Sequence, residues 1–242
     1  MNHGVYSAVS GSLSALERLD AITNNLANAS TPGFKAQLAV QRAAAAGAHA
    51  STVATPINRS HVETDFSQGS LEPTGSPLHL ALSGPGFFVV AGAGGERLTR
   101  RGSFSLDAQG FLVTSDGARV QGDGGDLALG DAANDGPIHI APDGTIEVGE
   151  NNVGKVRVVA LDDQQQLRRE GNGEFAAPGI ALQDAPEGSF QVRQGALEKT
   201  NTSTVANLVA LIDTLRGFEA YMTATTRLDQ VSERAIADVA RV

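Results

Sequence analysis

Asp107, Asp116 and Asp143 are the side chains best suited to acid–base work, because glycoside hydrolysis needs a pair of carboxylates held at a set separation. Each precedes a turn glycine, at Gly110, Gly117 and Gly144. A carboxylate in such a turn takes backbone N–H groups, so capping is the role predicted for all three. The stretch Gly122 to Asp131 alternates aspartate and glycine in a way superficially similar to calcium-binding nonapeptide repeats, but it occurs once and out of register. EF-hand spacing fails as well, since alanine follows Asp131. The histidines His3, His49, His61, His79 and His139 never stand at the i, i+4 spacing of a zinc helix, which predicts surface or turn positions for them. A nucleophile elbow, a phosphate loop and a dinucleotide fingerprint are all missing, and Gly84-Pro85-Gly86 precedes a strand-like run instead of a helix. The expectation is no catalytic residue, no metal ligand, no cofactor and no small-molecule substrate.

Composition narrows the classes further. A formal charge of −9 over 242 residues opposes non-specific attraction to nucleic acid or anionic lipid. Cysteine is absent, which excludes disulfide scaffolds and thiolate sites. No apolar run approaches the roughly 18 residues that a membrane span needs, so no membrane insertion is expected. The start, Met1 to Tyr6, has no basic residue, and Glu17, Arg18 and Asp20 interrupt any apolar stretch after it; a cleavable secretory signal is not expected.

Regular elements come in three textures. Val5, Val9, Ser12, Leu16, Leu19, Thr23 and Leu26 alternate spacings of four and three, with Leu13 and Ile22 widening the stripe, and this predicts an amphipathic helix with a heptad seam. It should end near Asn28, before Ser30-Thr31-Pro32-Gly33. The far end repeats the spacing at Leu208, Leu211, Leu215, Phe218 and Met222, continuing through the polar seam residues Thr225, Asp229 and Ser232. Between them, short apolar runs such as Phe87 to Val90, Phe111 to Val113, Pro137 to Ile140 and Lys155 to Leu161 are punctuated by glycine turns, which predicts an antiparallel all-β domain. The fold class is therefore mixed: terminal α-helices forming a coiled-coil-like layer plus a central antiparallel β domain. The expected partition is an N-terminal assembly helix over 1–35, a connector over 36–70 that is extended or weakly ordered, the β domain over 71–195, and a C-terminal assembly helix over 196–242 paired with the first. An intramolecular helical hairpin and helices that order only on assembly both satisfy this pattern.

The block Asn24-Asn25-Leu26-Ala27-Asn28-Ala29-Ser30-Thr31-Pro32-Gly33-Phe34-Lys35 resembles the N-terminal signature of the flagellar rod and hook axial proteins. Phe66 to Phe88 with Thr99 to Thr114 is similar to that family's entry into its β domain, and Gly195 to Asn201 followed by Val205, Leu208, Ile212, Arg216, Phe218 and Glu219 is similar to its C-terminal helix signature. Ser76, His79 and Thr202-Ser203-Thr204 depart from the usual pattern. The short segment from Lys35 to Phe66 looks like the proximal-rod type, with the distal rod protein or a hook-type protein as the alternative.

The resemblance implies a structural subunit of the bacterial flagellar basal body, exported through the flagellar type III apparatus without a cleaved signal and assembled into the rod that crosses the periplasm. Its partners would be other copies of itself, neighbouring rod proteins and the export apparatus. The assembly residues would be Val5, Val9, Leu16, Leu19, Leu26, Leu208, Leu211, Leu215, Phe218 and Met222, and the family motif Asn24, Asn25, Leu26, Ala27, Asn28, Thr31, Gly33 and Phe34. The competing class is a secreted β-domain hydrolase or a carbohydrate-binding module, neither of which needs a seam at both ends. Under the expected partition, Gly33 lies outside the β domain, so Gly33→Val should redirect the chain while the β domain melts normally.

Overall fold

The computed structural model describes residues 2–43, 58–92, 94–130 and 136–239, and these fall into two compact units. The first gathers the described residues of 1–29, 36–65 and 202–242; the second holds 30–35 with the described residues of 66–201.

In the first unit, α1 (Asn2–Ala27) and α2 (Thr204–Val239) pack against each other. α2 starts on Ser203, whose Oγ accepts from the Ala206 N–H at 3.4 Å and whose carbonyl accepts from the Asn207 N–H at 2.9 Å, the usual service of a serine at a helix start. α1 closes where the Asn28 N–H and side-chain amide both reach the Asn24 carbonyl, ahead of Pro32. Gly11 lies so near Tyr221 that an added Cβ would sit 2.5 Å from Cε1, while Ile22 and Asn25 share a cleft of about 430 Å³ with Asn207 and Ala210. The helices therefore run antiparallel. The buried face of α1 is Ala8, Ser14, Ala15, Ala21, Ile22 and Asn25, which are mostly small residues that let two backbones approach.

That face is not the seam that the spacing predicts. Leu19 and Leu26 are half-buried, whereas Val9 and Leu16 are exposed, as are Leu208, Leu215 and Met222 on α2; Leu211 and Phe218 are half-buried. For Val5 only its place in α1 is described. Bulky side chains keep helices apart, so the in-chain contact forms through the alanine face, and the larger apolar residues, about 100° or more around the helix, are left over.

The segment expected as a loose connector contains a hairpin, β1 (Gln37–Ala43) and β2 (Asn58–Thr64), antiparallel from Gln37↔Thr64 to Ala43↔Asn58. The alternation Gln37, Leu38, Ala39, Val40 is strand-like, and with no short turn to join its two halves the sequence offers no hairpin signal. Residues 44–57, including most of the alanine run, lie outside the described residues.

In the second unit a six-stranded antiparallel sheet runs in the order Arg168–Gly171, Glu174–Ala176, Gly95–Thr99, Phe87–Gly92, Val158–Ala160, Gln183–Asp184. The strand Phe87–Gly92 explains its own continuous apolar run. Phe87 and Val89 enter one core with Leu98, Val159 and Phe175, while Phe88 and Val90 enter another with Leu80, Leu82, Phe104 and Leu112. A strand alternates faces, so a sheet buried on both sides needs apolar residues at every position. The expected run Lys155 to Leu161 is broken in two: Asn151–Lys155 joins a three-stranded sheet with Thr145–Val148 and Ile138–Ile140, and Val158–Ala160 joins the large sheet.

At Gly102 the backbone runs too close to Leu80, the first residue of the strand Leu80–Ser83, for any side chain to fit. The Leu80 N–H donates to the Gly102 carbonyl at 2.9 Å, and a Cβ on Gly102 would overlap the Leu80 carbonyl oxygen. Backbone cannot swing aside as a side chain can, so Gly102→Ala should cost about 1–3 kcal/mol. Chemical denaturation of the purified chain checks this, with the unfolding midpoint expected to fall.

Candidate functional site

The residues matching the family motif act in succession along the chain. At the end of α1, Asn25 is buried and its amide imitates a strand: Nδ2 donates to the Gln37 carbonyl at 2.8 Å and Oδ1 accepts from the Gln37 N–H at 2.7 Å. It thereby sets the first residue of β1. Asn24, Ala27 and Leu26 serve the helix itself, Asn24 through its carbonyl.

Thr31 to Phe34 then turns, with the Phe34 N–H donating to the Thr31 carbonyl at 3.3 Å, and it does so inside the β unit. Gly33 has φ +69° and donates to the Glu198 carbonyl at 2.7 Å, and a Cβ there would stand 2.5 Å from the Arg100 carbonyl carbon. Only glycine meets both demands without strain. This corrects the expectation that the turn lies outside the β core: Gly33 and Phe34 are buried in it, because a chain leaving the helix needs partners for its backbone and finds them on the strand Ala196–Glu198.

Phe34 is covered by Arg169, whose guanidinium carbon lies 4.9 Å from its ring centre and 5.1 Å from that of Phe175, while Nη2 donates to the Lys35 carbonyl at 2.6 Å. The next residue, Lys35, is only 1% exposed, and its Nζ reaches Glu198 Oε1 at 2.6 Å and the Ser67 carbonyl at 2.8 Å. Glu198, also 1% exposed, further accepts from the Gly69 N–H at 2.9 Å and from Arg100 Nη1 at 3.4 Å. Arg100 is 4% exposed, donates to the Gly84 carbonyl at 2.8 Å and leans on the Phe87 ring at 5.3 Å. Burial lowers the pKa of the Arg100 guanidinium, and the Glu198 carboxylate opposes that by its charge and its hydrogen bond. Burial lowers that of Arg169 as well. Asn201 completes the group by donating to the Ser67 carbonyl at 3.1 Å and its Oγ at 3.0 Å.

Every segment by which the chain enters or leaves the β unit thus meets in one polar cluster: 30–35 through Gly33 and Lys35, 66–70 through Ser67 and Gly69, and 196–201 through Glu198 and Asn201. Lys35, Arg100 and Glu198 were not singled out by spacing. Lys35 and Glu198 are 163 positions apart, and the only sequence signal was a charge inside each of two signature blocks.

The backbone capping expected of the three aspartates is found at two of them. Asp107 Oδ1 accepts from the Gln109 and Phe111 N–H groups at 2.9 and 2.8 Å, and Asp143 takes the Thr145 N–H at 3.1 Å, a bond that also lowers its carboxyl pKa. Asp116 instead pairs with Arg101 Nη1 at 3.2 Å, so that one capping role is corrected to an ion pair. His79 joins Thr74 and His61 joins Glu63, and among the described residues no group of three acidic or histidine side chains could hold a metal ion.

The helical unit carries a second candidate surface. Val205 is 73% exposed, and Leu208, Val209, Ile212, Leu215 and Met222 continue along α2 from it, while Val9, Leu13 and Leu16 do the same on α1. Apolar stripes of this extent mark sites of association. Among the described residues no helix is long and apolar enough to cross a membrane.

Glu198 answers both Lys35 and Arg100, and taking a carboxylate out of a buried charged cluster costs about 3–5 kcal/mol. Glu198→Leu should lower the unfolding midpoint of the β unit accordingly, and Gly33→Val should lower it too, by forcing backbone apart. Denaturant titration of each full-length variant, with unfolding followed by limited proteolysis of the β unit, checks both.

Family models match three parts of the chain: a flagella basal body rod protein model over residues 6–35, the flagellar hook protein FlgE/F/G D1 domain over 81–153, and the flagellar basal body rod FlgEFG protein C-terminal model over 193–238. The flagellar basal-body rod protein FlgF of Caulobacter vibrioides is 32% identical over 247 residues, with 100% of both chains covered. FlgF of Salmonella typhimurium is 31% identical over 249 residues, with 97% of each chain covered, and the rod protein FlgG of Bacillus subtilis is 26% identical over 262 residues, with 98% of each covered. With the signature residues at Asn24 to Lys35 and identity of this order along its whole length, the chain belongs to the flagellar basal-body rod protein family.

Proposed function

We propose that the chain is a structural subunit of the flagellar basal-body rod, of the FlgF or proximal type, and that it carries out no catalysis. The observation that carries this reading is the apolar stripe left over on both terminal helices after they have packed on each other. An enzyme or a carbohydrate-binding module gains nothing from such stripes. A subunit that buries them against the next copy gains the hydrophobic free energy of several large side chains at each contact. In the assembly α1 and α2 join a coiled-coil-like layer, through Val9, Leu16, Leu208, Leu215 and Met222. The stripe on one copy meets a different surface on the next, and contacts of that heterologous kind extend into a helical tube instead of closing into a ring. The partners are other copies and neighbouring rod proteins. The place is the rod within the periplasm, reached unfolded through the flagellar type III export apparatus.

Leu16→Asp and Leu215→Asp each place a charge where the assembled rod is dry. The expected outcome is loss of swimming and of intact basal bodies, with an unchanged melting temperature of the purified monomer because both residues are exposed in it. Cells that swim and yield rods containing either variant would overturn the assembly role of these faces, and finding the chain only in a soluble fraction would overturn the rod reading.

A further inference from the structure

Along α2 the series at every seventh position is Leu208, Leu215 and Met222, and in sequence it continues to Asp229. Met222 is therefore the last large apolar member before the series turns polar. Such positions share one helix face, and the step from Leu215 to Met222 covers about 10 Å. Met222 is 48% exposed in the free chain, and Leu215 and Tyr221 are exposed beside it. The chain holds no cysteine, and its other methionine, Met1, lies outside the described residues, so the Met222 thioether is the only sulfur described. A thioether needs no deprotonation before it reacts with a peroxide, so access to the sulfur decides whether it is oxidised.

We propose that Met222 is an oxidation site that controls assembly: hydrogen peroxide converts its thioether to the sulfoxide in the free chain, and the oxidised chain no longer joins the rod. The proposal rests on the rod reading, in which the stripe that includes Met222 is buried against the next copy. In the step, an Sδ lone pair attacks one peroxide oxygen and the O–O bond breaks. The proton on the transferred oxygen passes to the departing hydroxide, which leaves as water; sulfur is oxidised by two electrons and the peroxide is reduced.

The sulfoxide oxygen is a strong acceptor, and a dry helix face offers it no donor. Oxidation therefore moves the boundary between apolar and polar seam back by one heptad, from Met222 to Leu215, and leaves only Leu208 and Leu215 of the series apolar. Leucine at 222 would pack to a similar volume and could not be oxidised, so the sensitivity comes from the one thioether in a series otherwise made of leucine. Burial in the rod withdraws the sulfur from peroxide, so the modification acts on free chains and spares rods already built.

Mass spectrometry of the peptide containing Met222 gives the first test. Hydrogen peroxide should add one oxygen to it in the purified full-length chain, and at least about tenfold more slowly in isolated basal bodies. Equal rates overturn the proposal. In cells, Met222→Gln, which puts a polar amide at the same place, should lower the yield of intact basal bodies at least about tenfold, and Met222→Leu should leave it unchanged. Both purified variants should melt as the unsubstituted chain does, because Met222 is exposed in it. A lowered melting temperature, or a Met222→Leu chain that builds no rods, overturns the proposal. The deciding arm adds hydrogen peroxide while expression of the chain is switched on: basal-body yield should fall for the unsubstituted chain and hold for Met222→Leu, and an equal fall in both overturns it. Leu215→Asp separates two ways of failing. If it blocks rods and Met222→Gln does not, the stripe keeps its role and the oxidation site alone is lost; if neither blocks them, the rod-face reading is lost with it.

Discussion

Lys35, Arg100 and Glu198 are buried together where the chain enters and leaves the β unit, and the local structure there follows from satisfying them. Nothing in an apolar interior replaces the hydration of an ammonium group except an opposite charge and enough hydrogen bonds. Lys35 obtains these from Glu198 and the Ser67 carbonyl, and Arg100 from Glu198 and the Gly84 carbonyl. To deliver those partners, the segments 30–35, 66–70 and 196–201 must converge, and the Gly33 turn must run close against Arg100. The polar cluster is specific where an apolar one would tolerate sliding, since an ion pair shifted by one residue is a pair broken.

The apolar residues divide into two populations with different tasks. In the β unit they are consumed inside the chain: Phe87 to Val90 are fully buried on both faces of the sheet, and Phe66, Phe87 and Phe175 pack edge to face. On the helices the small residues are consumed and the large ones are left. Ala8, Gly11, Ala15 and Ala21 permit α1 and α2 to approach, and Val9, Leu16, Leu208 and Leu215 remain in water. A monomer that stopped there would carry that exposed surface at a standing cost, which association removes.

A sequence of this kind determines the elements well. The three-and-four spacing of Val9 to Leu26 and of Leu208 to Met222 marked both helices, glycine punctuation marked an antiparallel β body, and the signature block at Asn24 to Lys35 led to the family that the full-length relatives then established. Local chemistry carries these features, since helix periodicity, turn glycines and capping aspartates act within a few residues of one another. The tertiary structure alone decided four other things. It chose the alanine face over the leucine seam for the in-chain helix contact, paired β1 with β2 across a long intervening segment, and moved the Gly33 turn from the helix to the β core. It also joined Lys35 to Glu198. Each of these is a meeting of residues far apart in the chain, and a single sequence states which groups must be satisfied but not which distant partner satisfies them.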